Sequence, residues 1–283
     1  MNISGSIGLT VLEKNNKKIM LFYDIHSKVP YCKNINGTTI SKYIKNHLYK
    51  GYDILLEEVP RGITELEELW PESPHTQELK QTYLDNSKII DAIDIRIFLF
   101  PFSWEIINVE KELGNIILIN YIEQINNFFE MKSDFYNDLV VPLVKNKKVK
   151  NSGIGQHFLS LKELFKNFKI SNKEYLNIKL IDIYNNNRNI LLRLNDLASN
   201  IMEWYVILKL FSSDKPSIIH TGLHHSDNIL NKLKNYYGFT IKYQTGVNHR
   251  NEREFNVNSC VYLPDDVSKY FSSYNEKYKF GFF

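Results

Sequence analysis

Apolar positions fall into short β-branched runs toward the two ends of the chain and into helically spaced stripes through its middle. Residues 5–13 are apolar and β-branched, Lys14 to Lys18 reads as a turn, and Ile19 to Tyr23 is apolar again. This pattern predicts a hairpin whose second strand lies near the centre of a sheet. Thr38, Thr39 and Ser41 can cap a helix through Tyr43, Ile44 and Leu48 that Gly51 stops, and residues 53–56 follow as a strand. Together these segments make a βαβ unit. Pro60 and Gly62 end that strand, and the acidic, irregular stretch to about Pro74 is expected to form a lid. A helix around residues 77–84 should then lead into a strand over residues 89–96, with Asp94 and Arg96 alternating onto one face.

From about Trp104 to Ser213 strand signals give way to helical spacing, as in Ile106, Ile107, Val109, Leu113 and Ile117, and later Leu180, Ile183, Ile190, Leu194, Leu197 and Ile201. Gly153, Gly155 and Asn172 interrupt the pattern, which predicts several helices forming a layer or cap over the sheet. Sheet character returns at residues 217–221. An amphipathic helix is then expected from Ser226 through Ile229, Leu230 and Leu233, stopped by Gly238 before a strand over residues 239–243 that completes a second βαβ unit. Residues 260–263 read as a late strand and 265–271 as a terminal helix. The expected fold is α/β, a largely parallel central sheet flanked by helices. It forms one domain over residues 1–283 with a helical insertion at about 104–213.

Composition narrows the function. The 283 residues carry 35 basic and 32 acidic side chains for a formal charge of +3, without the one-signed field of a dedicated nucleic-acid binder. The basic run Lys145 to Lys150 lacks interleaved aromatic residues and reads as a solvated loop. Two cysteines, Cys32 and Cys260, are too few for a disulfide framework and suggest a reducing compartment. With no export signal and no long apolar run, the expectation is an intracellular protein without a membrane span.

Three apolar runs end in residues that can hold a metal or move a proton: Ile19 to His26, Asp53 to Glu58, and Ser217 to His225. Ligands bind at the carboxyl ends of strands in open α/β sheets, so His26, Glu57 and His225 are expected to meet in one pocket. A single histidine after a strand is usually a packed structural residue; three such strand ends together point to a site. Two nitrogens and a carboxylate would leave positions open for water and substrate on a divalent metal, Mn, Co or Zn, or could serve as acid and base. Glu58 faces away from Glu57 if the strand continues, His224 competes with His225 for the pocket, and His249 ends a second Gly-x-x-His spacing from Gly246. Arg96 either pairs with Asp94 or steadies developing negative charge at the pocket. The spacing Asp24-Ile25-His26 also suits a metallophosphatase, but the further Gly-Asp-x-x-Asp and Gly-Asn-His segments of that family are missing.

Tyr23-Asp24-Ile25-His26 resembles the first Gly-x-x-His element of the superfamily that contains erythromycin esterase, ChaN, TraB and the TIKI metalloproteases. Glu57 after Leu55-Leu56 resembles its acidic position, and Gly222-Leu223-His224-His225 its second Gly-x-x-His. Cys32, Ile93-Asp94-Ile95-Arg96 and Cys260-Val261-Tyr262-Leu263-Pro264 are similar to segments of proteins from large DNA viruses. The resemblance implies an α/β fold with both histidines and the glutamate in one pocket. It implies a hydrolase, metal-assisted or dependent on His and Glu, that acts on ester, amide or peptide bonds of a small-molecule or peptide substrate. Tyr23 stands where the family has glycine and Asp24 where glutamate is common. A tyrosine filling the pocket would instead favour a catalytically inactive, virus-encoded binding or virion-associated protein.

Overall fold

A computed structural model describes residues 1–26, 32, 37–60, 74–99, 114–249 and 258–272. The lid expected before Pro74 and the first part of the helical stretch after Trp104 lie outside these residues. The chain divides into two compact units, Met1–Asp94 with Ser213–Phe283, and Ile95–Ser212.

Among the described residues the first unit has nine strands: β1 (Asn2–Ser4), β2 (Gly8–Lys14), β3 (Lys17–Asp24), β4 (Thr38–Thr39), β5 (Asp53–Leu56), β6 (Ile90–Ala92), β7 (Ser217–Gly222), β8 (Thr240–Gly246) and β9 (Cys260–Tyr262). Six of them form a mostly parallel sheet in the order β6-β5-β7-β3-β2-β8. β7 pairs in parallel with β3 on one side and β5 on the other, with Phe22 beside His220 and His220 beside Leu56. Alternation along β3 then decides which side chain faces which layer. Met20 and Phe22 join a buried cluster with Tyr43 and Ile44 of the helix Ile40–Lys45, Leu79 and Tyr83 of the helix Pro74–Asp85, and Phe271 near the chain end. On the opposite face Ser226, in the helix Leu223–Asn235, hydrogen-bonds Thr221 and the Phe22 carbonyl.

The hairpin forms as expected, with β2 antiparallel to β3. The first helix forms over Ile40–Lys45, Thr39 accepting a cap bond from the Lys42 N–H, but ends short of Leu48, and Gly51 turns the chain at φ +78° before β5. Two strand expectations are corrected. β8 does not sit beside β7 but runs antiparallel to β2 at the sheet edge. The strand expected over residues 89–96 ends at Ala92, and Ile95–Phe98 is a 3-10 helix, so Asp94 and Arg96 share no strand face. The burial of Ile93, Ile95 and Ile97 mimics strand alternation in the sequence.

β4, β1 and β9 make a second, three-stranded sheet. Here Cys260 is disulfide-bonded to Cys32, across 228 residues of sequence. The cysteines are therefore not the free thiols of the reducing-compartment expectation. A pair this far apart in sequence carries no spacing signal, because only the folded chain brings Cys32 to the β9 edge. No helix among the described residues is long and apolar enough to cross a membrane.

The second unit is helical, with Leu118–Phe129, Ile154–Ser171, Leu180–Asn186 and Arg188–Ser212 as its principal helices. Gly153, in the left-handed region, and Asn172 bound the helix Ile154–Ser171. The core is aromatic: Phe128 stacks on Phe135 and meets Phe158 and Trp204 edge-on, while the Trp204 indole N–H donates to the Ile154 carbonyl. The basic run contains one helical turn, Lys147–Lys150, capped by Asn146, with its lysines exposed.

Candidate active site at the strand ends

β3, β5 and β7 are adjacent and parallel, so their carboxyl ends lie side by side. At the end of β3, Asp24 is completely buried. Its Oδ1 accepts from His75 Nε2 at 2.6 Å and from the Ile25 N–H at 2.8 Å, and its Oδ2 lies 2.9 Å from His26 Nδ1. The last contact is a close approach whose angle falls short of a well-aligned hydrogen bond. Burial alone would push the Asp24 carboxyl up, but the His26 and His75 rings beside it outweigh that and hold it well below the usual carboxylate range.

His26 follows with φ +47°, a left-handed backbone that a non-glycine residue adopts at a penalty of order 1–3 kcal/mol. Its Nε2 lies 3.9 Å from Glu57 Oε2, and His225 Nε2 lies 3.6 Å from the other oxygen of the same carboxylate. The Gly222 N–H donates to Glu57 Oε2 at 2.6 Å. Gly222 is the close-approach residue of the site: a Cβ there would stand 2.8 Å from His26 Nε2 and 3.4 Å from Glu57 Oε2. The structure thus brings together the three residues singled out in the sequence, around one carboxylate anchored by a backbone amide.

The helix carrying His225 starts at Leu223, three residues earlier than expected. His224 and His225 therefore sit about 100° apart around a helical turn, not in a loop. His225 is buried, while His224 is exposed and reaches Asn228. His249 stands 3.7 Å from Asp227 instead of at the Glu57 carboxylate. Arg96 belongs to the helical unit, and no part in the strand-end site is assigned to it. Tyr23 is buried, and its hydroxyl lies 3.0 Å from Thr10 Oγ1 on β2. Successive side chains alternate, so Tyr23 points to the face opposite Asp24 and toward the β2 side of the sheet, away from β5.

Three further groups belong to the site's surroundings. Burial lifts the Glu58 carboxyl to about 7, with Lys80 opposing the rise and Glu57 adding to it. His220 lies within β7, and burial drives its imidazole down to about 4 against the pull of Asp24, so the ring is neutral. His75 is the second residue of its helix and is buried against Gly5. A polar residue inside the apolar run Ile218-Ile219-His220 is a signal that could have marked His220, since a buried polar group needs a partner. Nothing around His75 in the sequence marks it.

His26, Glu57 and His225 are donors of the types that bind divalent metals, and a carboxylate at His26 Nδ1 is the usual arrangement behind a metal-ligating histidine. As they stand, however, no three His, Cys, Asp or Glu side chains among the described residues are grouped closely enough to hold an ion. One Glu57 oxygen is also already engaged by the Gly222 amide. The arrangement suits proton transfer as it stands: a buried carboxylate behind one imidazole, and two imidazoles facing a partly exposed carboxylate. No family model, curated protein or solved structure matches this chain.

Proposed function

We propose that the strand-end site hydrolyses an ester, amide or peptide bond by acid–base catalysis. The observation that supports this reading is the chain of contacts from buried Asp24 through His26 to Glu57 and on to His225. Asp24 faces Nδ1 of His26, which leaves Nε2, on the Glu57 side of the ring, as the basic nitrogen. A water positioned by Glu57 attacks the carbonyl carbon and gives its proton to His26 Nε2. The departing alkoxide or amine takes a proton from the imidazolium form of His225, and the proton held by His26 passes back to His225 through water, so that one water is consumed and both rings are restored. Glu57, anchored by the Gly222 amide, keeps its orientation between the two imidazoles.

The experiment is an activity screen with generic ester and peptide substrates, on protein purified without a histidine tag and analysed for metal. His26→Ala, Glu57→Gln and the double variant should fall to one common floor, because removing one member already disables the shared step. Melting temperatures should change by only a few degrees. Activity should survive chelation. Stoichiometric metal whose removal abolishes turnover would reassign the three residues from proton transfer to ligation. Lack of turnover on every substrate, with both substitutions acting mainly on melting temperature, would overturn the hydrolase reading.

A further inference from the structure

Asp24 is held from two sides, and the group on its inner side is not accounted for by the reaction proposed above. His75 Nε2 lies 2.6 Å from Asp24 Oδ1, with the ring only 1% exposed. An ionised carboxylate can only accept, so this nitrogen carries the hydrogen and donates it. The Ile25 N–H donates to the same oxygen at 2.8 Å, and Thr76 Oγ1 reaches Oδ2 at 3.4 Å. Asp24 on its own could rotate about its terminal torsion, which is broad and roughly two-fold. With Oδ1 occupied by two donors, Oδ2 is the oxygen left to face His26 Nδ1 at 2.9 Å.

We infer that His75 is a positioning residue: by pinning Oδ1 of Asp24 it fixes which oxygen meets His26, and so places the His26 proton on Nδ1 and leaves Nε2 as the nitrogen directed at Glu57. The contact that carries this role is the one between His75 and Asp24. Its placement depends on tertiary packing, because a Cβ on Gly5 would sit 2.9 Å from the His75 Cβ and 2.8 Å from Ile40 Cγ2. The helix start, the Gly5 turn and the end of β3 therefore form one clamp around a single carboxylate. Outer partners that orient a metal-ligating histidine typically change metal affinity or activity by about 10- to 100-fold when removed, and the same scale is expected for a relay through Asp24.

The catalytic consequence rests on the hydrolase reading, but the orientation of His26 does not, and the test separates the two. Ring nitrogen NMR on ¹⁵N-histidine-labelled full-length protein reports which nitrogen of the neutral His26 ring bears hydrogen. The wild type should show Nδ1–H. His75→Leu, which fills the space without a donor, should lose that signature toward Nε2–H. His75→Gln, whose amide can occupy the Nε2 position, should retain it. If a substrate is found, kcat should fall about 10- to 100-fold in His75→Leu with KM little changed, and His75→Gln should recover most of the loss. An unchanged Nδ1–H pattern in folded His75→Leu would overturn the inference. If His75→Leu does not fold, His75→Gln alone decides: retention supports the clamp and loss of the pattern overturns it. Nδ1–H in the wild type and in His75→Gln, together with no hydrolysis, would leave the clamp standing and remove the reaction assigned to it.

Discussion

Gly222 is where a single hydrogen atom in place of a side chain has the largest consequence for the site. Its φ of −56° and ψ of 150° are open to any residue, so Gly222→Ala meets no backbone strain. The new methyl would instead collide with the His26 ring, 2.8 Å from Nε2. That ring is partly exposed and can swing away, so relief is available at the expense of its approach to Glu57. Gly222→Ala is therefore expected to change stability by less than about 1 kcal/mol while reducing kcat at least tenfold. Paired urea titrations and steady-state kinetics check both halves, and a loss of stability with unchanged kcat would contradict the argument. His26 shows the opposite relation between backbone and role, keeping a strained left-handed conformation at the residue that faces both carboxylates.

At the scale of elements, His220 within β7 and the half-buried Glu58 just past β5 are titratable groups whose effects on stability run in opposite directions with pH. His220 has its folded value lowered from 6.5 to about 4, so below pH 6.5 the unfolded chain takes up a proton that the folded chain refuses. Its contribution is complete above pH 6.5 and is lost as pH falls toward 4, a difference of about 3 kcal/mol. Glu58, at the end of β5, has its folded value raised from 4.5 to about 7. It keeps its proton longer when folded, so its contribution is complete below pH 4.5 and is lost as pH rises toward 7. Asp24, with a lowered value, contributes above the ordinary carboxylate range and is lost only in stronger acid. Between pH 4.5 and 6.5, His220→Gln should flatten the loss of stability on acidification, and Glu58→Gln should steepen it. Denaturant midpoints at several pH values test this, and identical slopes in all three proteins would show that neither group titrates as its surroundings imply. The helix after β7 adds a register effect: beginning at Leu223, it turns His225 inward and His224 outward by its own periodicity.

The whole molecule is two units, of which the first is composed of both chain ends and closed by Cys32–Cys260. Bridging residues so far apart removes much freedom from the unfolded chain, and native disulfides are typically worth about 2–4 kcal/mol. Cys32→Ser with Cys260→Ser is expected to lower the melting temperature by roughly 5–15 °C. Thiol titration of the denatured, unreduced protein should find no free thiol. Finding two, or an unchanged melting temperature in the double variant, would contradict a structural bridge. The second unit closes an aromatic core of its own among Phe128, Phe135, Phe158 and Trp204. Its helical character was legible from apolar spacing, whereas its boundary was not: it starts at Ile95, before the helical stripe becomes regular, because the 3-10 helix Ile95–Phe98 carries alternating isoleucines that imitate a strand.

The sequence by itself determined what depends on neighbours a few residues apart: the hairpin at Lys14 to Lys17, the helix that Thr39 caps, the buried run of β7, and the placing of His26, Glu57 and His225 just past apolar strands. Those features follow from period and capping, which are local. Only the tertiary structure decided that β7 lies between β3 and β5, that β8 joins the far edge, that Tyr23 turns away to Thr10, and that His75 and His220 gather around Asp24. Strand order and the partners of a buried charge depend on burial summed over segments tens to hundreds of residues apart, and no local pattern encodes that sum.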